Sequence, residues 1–259
     1  MSGDVVLVDV SERIATITLN RPAARNALSS EVLRLLPQLM QEADLRDDVD
    51  VIILTGADPA FCAGLDLKEL GSTAGNLRIR TSEESDERGP FPKLSKPLIG
   101  AINGVAVTGG FELALNCDFL VASERARFGD THTRVGVMPG WGLTVLLPQA
   151  IGVRRAREMS FTGNFLSGQE AFEWGLVNHV VAHEELMPFT RALALDIVSN
   201  DQAGVRQIRA TYAAVTATTI ADGWLVEAHD AGAWSKRGID PAEIERRRAA
   251  IVERGHRQA

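Results

Sequence analysis

Two stretches of this chain bring glycine to positions where core packing alone would not ask for it. The first is Ala60-Phe61-Cys62-Ala63-Gly64-Leu65-Asp66-Leu67-Lys68. The second runs from Lys96 through Asn103, Gly104, Thr108, Gly109, Gly110 and Glu112 to Leu115. Both read as strand-to-helix turns, where a missing side chain lets backbone N–H groups face a ligand. In the second stretch Glu112 falls at the start of a helix among apolar residues, a setting that tends to raise a carboxyl pKa and fit the group for proton transfer. The plainer reading of the same position is an acid stabilised by the helix dipole in the first turn. Of the histidines (His132, His179, His183, His229, His256) only His179 and His183 are four apart. They flank a Val-Val step that reads as a strand end, so no metal site is expected. Cys62 and Cys117 have no CxxC spacing and read as buried free thiols.

The elements that would position these groups follow from the hydrophobic pattern. Val5–Val10 and Ile14–Leu19 are apolar and β-branched and are separated by Ser11-Glu12-Arg13, which predicts a hairpin. Ser29 can cap a helix whose apolar residues Val32, Leu35, Leu36, Leu39, Met40 and Ala43 fall on one face. Pro37 inside it predicts a kink or break. Val51–Leu54 is a short buried strand, Leu98–Ala106 a strand run, Gly110–Cys117 helix-like, and Asp118–Ala122 and Val177–Val181 are further strands. This alternation indicates an α/β fold. The polar stretch Gly71–Gly89 reads as a solvated loop. From His183 onward glycine is sparse and four helices are expected, over 186–199, 202–217, 221–235 and 241–254. The chain therefore divides into a core, 1–182, and a helical region, 183–259. Asp240-Pro241 with Glu243 and Glu245 is a start signal for the last helix, and its basic end suits the helix dipole.

With these elements in order, the chain resembles the enoyl-CoA hydratase/isomerase (crotonase) superfamily. The stretch FCAGLDLKEL resembles that family's first oxyanion-hole segment and KPLIGAINGVAVTGGFELALNCD its second. LNRPAARNALS, VMPGWGLTVLLPQAIG, Phe161-Thr162-Gly163 and GLVNHVV follow in the family's order, so the likeness covers most of the chain. The resemblance implies a spiral of ββα units, a helical C-terminal trimerisation region and acyl-CoA thioester substrates, with CoA part of the substrate and no separate cofactor. It implies that the backbone N–H groups of Leu65 and Gly109 bind the thioester oxygen, where an enolate-like charge develops. It also implies that Leu65, Asp66, Leu67, Lys68 and Gly109 line the substrate; for Lys68 the alternatives are a phosphate contact and plain solvent exposure. Self-association as a homotrimer or a dimer of trimers follows from the same likeness.

One family position differs. Hydratases of this family resemble one another in having two glutamates 20 positions apart, the second in a Phe-Gly-X-Pro-Glu context. Here the local match is Phe128-Gly129-Asp130-Thr131-His132, so histidine stands where the second glutamate would be. Histidine can act as a general acid or base near neutral pH without an environmental shift. His132 either shares proton transfer with Glu112 or fills the pocket wall, with Asp130 a surface acid nearby. Three functions follow: hydration of a 2-enoyl-CoA in lipid or acid catabolism, isomerisation or C–C bond hydrolysis within the same superfamily, and acyl-CoA binding without catalysis.

Composition limits the rest. The chain has 259 residues, 45% of them apolar and 24% charged, which is an ordinary globular make-up. A net charge of −7 argues against nucleic-acid or anionic-membrane partners. The 19 uncharged residues between Arg134 and Arg154 include Pro139, Pro148 and four glycines, which would break a membrane helix. The N-terminus carries Asp4 and Asp9 with no basic flank, and a cytoplasmic protein is expected.

Overall fold

The computed structural model describes residues 5–73, 75–76, 89–238 and 240–258, so most of the stretch read as a loop, Gly71–Gly89, lies outside the described residues. The chain opens with strands β1 (Val6–Ser11) and β2 (Ile14–Leu19), followed by helix α1 (Ser30–Leu45), β3 (Val51–Gly56), β4 (Ala60–Cys62) and α2 (Leu67–Ser72). Next come β5 (Leu98–Ile102), β6 (Val105–Val107), α3 (Gly109–Leu115), β7 (Phe119–Ser123), β8 (Arg127–Gly129) and the single turn α4 (His132–Val135). They are followed by α5 (Leu143–Ile151), α6 (Val153–Thr162), β9 (Phe165–Ser167), α7 (Gly168–Glu173) and β10 (His179–Val181). Four helices complete the chain: α8 (Leu186–Val198), α9 (Gln202–Thr216), α10 (Ile220–Lys236) and α11 (Pro241–Gln258).

The expected hairpin is present. β1 and β2 pair antiparallel from Val6↔Leu19 to Ser11↔Ile14, across a turn in which Glu12 and Arg13 both take positive φ (52° and 63°). From β2 the sheet runs parallel in the order β1-β2-β3-β5-β7-β10. Parallel strands are covered on both faces, and β3 alternates accordingly. Ile52 and Leu54 join the main core with Phe61, Phe111 and Phe128, while Val51 and Ile53 turn to the other face and meet Leu186 and Ala194 of α8.

The strand run expected over Leu98–Ala106 is two strands in two sheets. Asn103 and Gly104 separate them: the Asn103 amide donates to Asp58 Oδ1 and to the Ala60 carbonyl, and a Cβ at Gly104 would lie 2.4 Å from the Pro59 carbonyl oxygen. The chain is drawn there against the start of β4 and changes layer. β6 then enters a second sheet of order β4-β6-β8-β9, in which β4, β6 and β8 are parallel and β9 is antiparallel.

Ser29 caps α1, its hydroxyl accepting from the Val32 N–H. The break expected at Pro37 does not occur: one helix runs Ser30–Leu45 through it, because Val32, Leu33, Leu36, Met40 and Ala43 are buried along one face and outweigh the lost backbone bond. At the far end, buried Lys96 donates its ammonium to the carbonyls of Ala43 and Arg46 (3.1 and 2.6 Å), satisfying groups the helix leaves open.

The chain forms two compact units, 1–206 and 207–259. The first holds both sheets and α8. The second holds most of α9, with α10 and α11, and Thr211 donates to Asp230 Oδ2 at 2.6 Å to tie α9 to α10. α11 starts at Pro241, with the Ala242 N–H on Asp240 Oδ1 as its capping pattern predicts. No helix among the described residues is long and apolar enough to cross a membrane.

Ile53 is fully buried between β3 and α8. Ile53→Ala should destabilise the protein by about 2–5 kcal/mol in urea unfolding. A loss below about 0.5 kcal/mol would mean that α8 does not close this face.

Candidate active site

The site is built where β6 and β8 end. These strands are parallel neighbours with Val107 opposite Gly129. The chain leaves β6 into α3 and leaves β8 into α4, so Glu112 and His132, distant in sequence, emerge side by side. α3 is seated by its first residues: a Cβ at Gly110 would lie 2.2 Å from the carbonyl oxygen of Cys62 at the end of β4, so only glycine allows this approach. The preceding residue, Thr108, holds φ 52° although β-branched, and its hydroxyl is 2.8 Å from that of Thr131. The Glu112 N–H makes the first turn's bond to the Thr108 carbonyl at 3.0 Å.

The Glu112 side chain is fully buried. Its Oε1 accepts from the backbone N–H groups of Gly140 (2.9 Å) and Trp141 (2.7 Å). Its Oε2 lies 3.4 Å from Nε2 of His132, itself 1% exposed. The Asn116 amide donates to the Glu112 carbonyl and to the Trp141 carbonyl, both at 2.8 Å, and clamps α3 to the segment that supplies these N–H groups.

Asp130 is not the surface acid that one reading of the sequence made it. It is 2% exposed, and its Oδ1 accepts from the His132 ring at Nδ1 (2.7 Å) and from the His132 backbone N–H (3.2 Å). The reason is local: β8 is buried at Phe128 and Gly129, and the turn into α4 folds Asp130 inward over the ring two residues on. Burial works against charge on His132, but the hydrogen bonds and charges of Asp130 and Glu112 outweigh it and raise its pKa above the usual imidazole value. Burial likewise opposes ionisation of Asp130, yet its bonds with His132 and Ser160 win and its pKa lies below the usual carboxylate value.

The turn that carries Gly64 and Leu65 lies beside the one that carries Gly109. The Leu28 N–H donates to the Gly64 carbonyl (2.8 Å) and the Asp66 N–H to the Leu28 carbonyl (3.0 Å). In this parallel bridge the two neighbours of Leu65 make the bonds, so the Leu65 N–H is directed away from Leu28. A Cβ on Gly109 would come within 3.9 Å of Gly64 Cα, which brings the two turns into contact. Gly64 holds φ 79°, and a Cβ there would meet Thr108 at 2.9 Å, so its glycine is required by both conformation and space.

The other expected lining residues are placed differently from one another. Asp66 caps α2, accepting from the Lys68 and Glu69 N–H groups, and pairs with Arg21 at 2.9 Å. Leu67 and Lys68 are exposed on the first turn of α2. Among the described residues there is no group of three metal-type side chains. Burial pushes the Cys62 thiol up to about 12, which leaves it unreactive. Sequence reasoning missed Asp130 and the Gly140 and Trp141 N–H groups. The first was signalled only by standing two residues before His132, and the others had no side-chain signal, because the backbone makes the contact.

The sequence pattern of the family described as Enoyl-CoA hydratase/isomerase matches residues 9–230. A relative from Arabidopsis thaliana named "Probable enoyl-CoA hydratase 1, peroxisomal" is 42% identical over 197 residues, 76% of this chain and 73% of its own. The crystal structure of an enoyl-CoA hydratase from Mycobacterium tuberculosis H37Rv is 49% identical over 88% of this chain and 98% of its own, with a TM-score of 0.76. That of an enoyl-CoA hydratase from Bacillus anthracis is 35% identical over 88% of this chain and 90% of its own, with a TM-score of 0.81.

The two shifted groups give stability opposite pH dependences. The contribution of His132 is complete below its ordinary pKa, about 6.5, and is lost as pH rises through its raised value. That of Asp130 is complete above its ordinary pKa, about 3.9, and is lost as pH falls through its depressed value. The urea midpoint should therefore decline as pH rises above about 6.5, and His132→Gln should flatten that decline. An unchanged slope in the variant would assign it to other groups.

Proposed function

Because the chain belongs to the enoyl-CoA hydratase/isomerase (crotonase) superfamily, we propose that it adds water across the double bond of a 2-enoyl-CoA. The observation that carries this reading is the buried Glu112 carboxylate 3.4 Å from the His132 imidazole, beside the touching turns of Gly64-Leu65 and Gly109. The names of the relatives, enoyl-CoA hydratases, support it.

In this reading the N–H groups of Leu65 and Gly109 donate to the thioester oxygen and stabilise the enolate that forms as the β carbon is attacked. One such donor is worth about 10²–10³ in rate. Glu112 takes a proton from water as its hydroxyl bonds to the β carbon, and protonated His132 delivers a proton from Nε2 to the α carbon. The proton left on Glu112 then has Nε2 within reach, so its return to the ring resets both groups without help from solvent. Leu65 to Lys68 line the CoA portion, with exposed Lys68 available to a phosphate. The core of residues 1–182 carries the chemistry and the helical region 183–259 carries self-association, as a homotrimer or a dimer of trimers in the cytoplasm. The exposed Ile208, Tyr212, Ile220, Trp224 and Leu225 support the last point, since apolar side chains at this density call for a partner surface.

Purified protein should bleach the enoyl absorbance of a short-chain 2-enoyl-CoA and give a product heavier by one water. A product of unchanged mass would replace hydration by isomerisation, and no turnover of any acyl-CoA would leave binding alone. Glu112→Gln and His132→Ala should each lower kcat about 10²–10⁴-fold while CoA thioester binding persists. A His132→Ala variant with wild-type kcat would remove the ring from the mechanism. Light scattering at micromolar concentration should give three or six chains, and a monomer would overturn the assembly.

A further inference from the structure

The two ring nitrogens of His132 face different acids. Nδ1 is 2.7 Å from Asp130 Oδ1, and Nε2 is 3.4 Å from Glu112 Oε2. Among the described residues, these are the charged groups that act on the ring. An ionised carboxylate only accepts, so the nitrogen beside Asp130 has to be the N–H. The backbone N–H of His132 on the same oxygen fixes the ring and the acid as one unit.

The geometry points to Asp130 as a positioning residue that keeps a proton on Nδ1 of His132 in both its charged and neutral forms, so that Nε2 alone exchanges a proton with Glu112 and substrate. Its consequence for rate rests on the hydration reading; its consequence for the ring does not. If the tautomer were free, a neutral His132 carrying its proton on Nε2 could neither accept the proton returning from Glu112 nor serve as an acid in the next cycle. Asp130→Asn would favour that state, because the amide can turn its NH₂ toward Nδ1 and donate to it. The lowered pKa of Asp130 and the raised pKa of His132 both follow from the hydrogen bond between them.

Two measurements test this. In uniformly ¹⁵N-labelled wild-type protein, with His132 assigned by its loss in His132→Gln, long-range ¹H–¹⁵N spectra from pH 5.5 to 9 should show Nδ1 protonated throughout and only Nε2 losing its proton. A neutral ring protonated at Nε2 overturns the proposal whether or not the protein turns over an enoyl-CoA. In Asp130→Asn, kcat should fall about 10²–10⁴-fold with KM nearly unchanged, and the alkaline limb of the pH–rate profile should move to lower pH. A variant that keeps wild-type kcat and an unmoved limb also overturns it. If Asp130→Asn does not fold, the wild-type spectra decide alone. Nδ1 protonation in a protein that hydrates nothing would uphold the role of Asp130 while ending the hydration reading.

Discussion

A carboxylate with no exposure to water must be given partners by the protein, or its charge makes the fold unstable. Glu112 is that group here, and much of the surrounding architecture can be traced to holding it. One oxygen takes two backbone N–H groups from Gly140 and Trp141, and the other faces a histidine whose charge is favoured by a second buried acid. Meeting those conditions requires α3 to begin hard against β4, which Gly110 allows, and requires the segment before α5 to be tied to α3, which Asn116 does. The segment from Gly136 to Gly142 thus meets the carboxylate through its backbone, and it carries no acidic or basic side chain.

Residue type alone does not make such a site, as a second constellation in the same molecule demonstrates. Ser123, His183 and Asp58 form a chain of contacts, Ser123 Oγ to Nδ1 at 3.0 Å and Nε2 to Asp58 Oδ2 at 2.9 Å. Those residue types perform nucleophilic catalysis elsewhere. Here the serine is fully buried, its hydroxyl already accepts from the Arg125 N–H, and the Asp58 side chain is 61% exposed. The trio straps the end of β7 to the turn between β3 and β4. What separates it from the Glu112 and His132 pair is place: Glu112 stands in the helix that begins at Gly109, whose turn touches that of Gly64, whereas the trio joins a strand end to a turn.

The sequence made the α/β class, the β1–β2 hairpin, the capped α1 and the four C-terminal helices readable because each is written in local periodicity and capping residues. The glycine turns and Glu112 were legible for the same reason, since their types are odd for a core. What stayed hidden depended on contacts between distant parts of the chain. Leu98–Ala106 read as one strand because both halves are apolar, and only the approach of Gly104 to Pro59 divides it. Pro37 read as a breaker because propensity says nothing of the buried face that holds α1 together. Asp130 read as a surface acid because nothing local reveals that the turn after β8 folds inward.

The pairing of Val107 with Gly129 sets which kinds of evolutionary change this site can survive. Twenty residues separate Glu112 from His132, yet their distance is set by two short strands lying in step, and the turns at 116–118 and 124–126 lie outside those strands. The first of those turns is itself tied down, because Asn116 donates to the Glu112 and Trp141 carbonyls and Asp118 accepts from the Leu98 N–H. A shift of a single residue between β6 and β8 would swing every side chain of the slipped strand to the opposite face. Lineages of this fold are thus held to the alignment of the strands that launch their reactive groups.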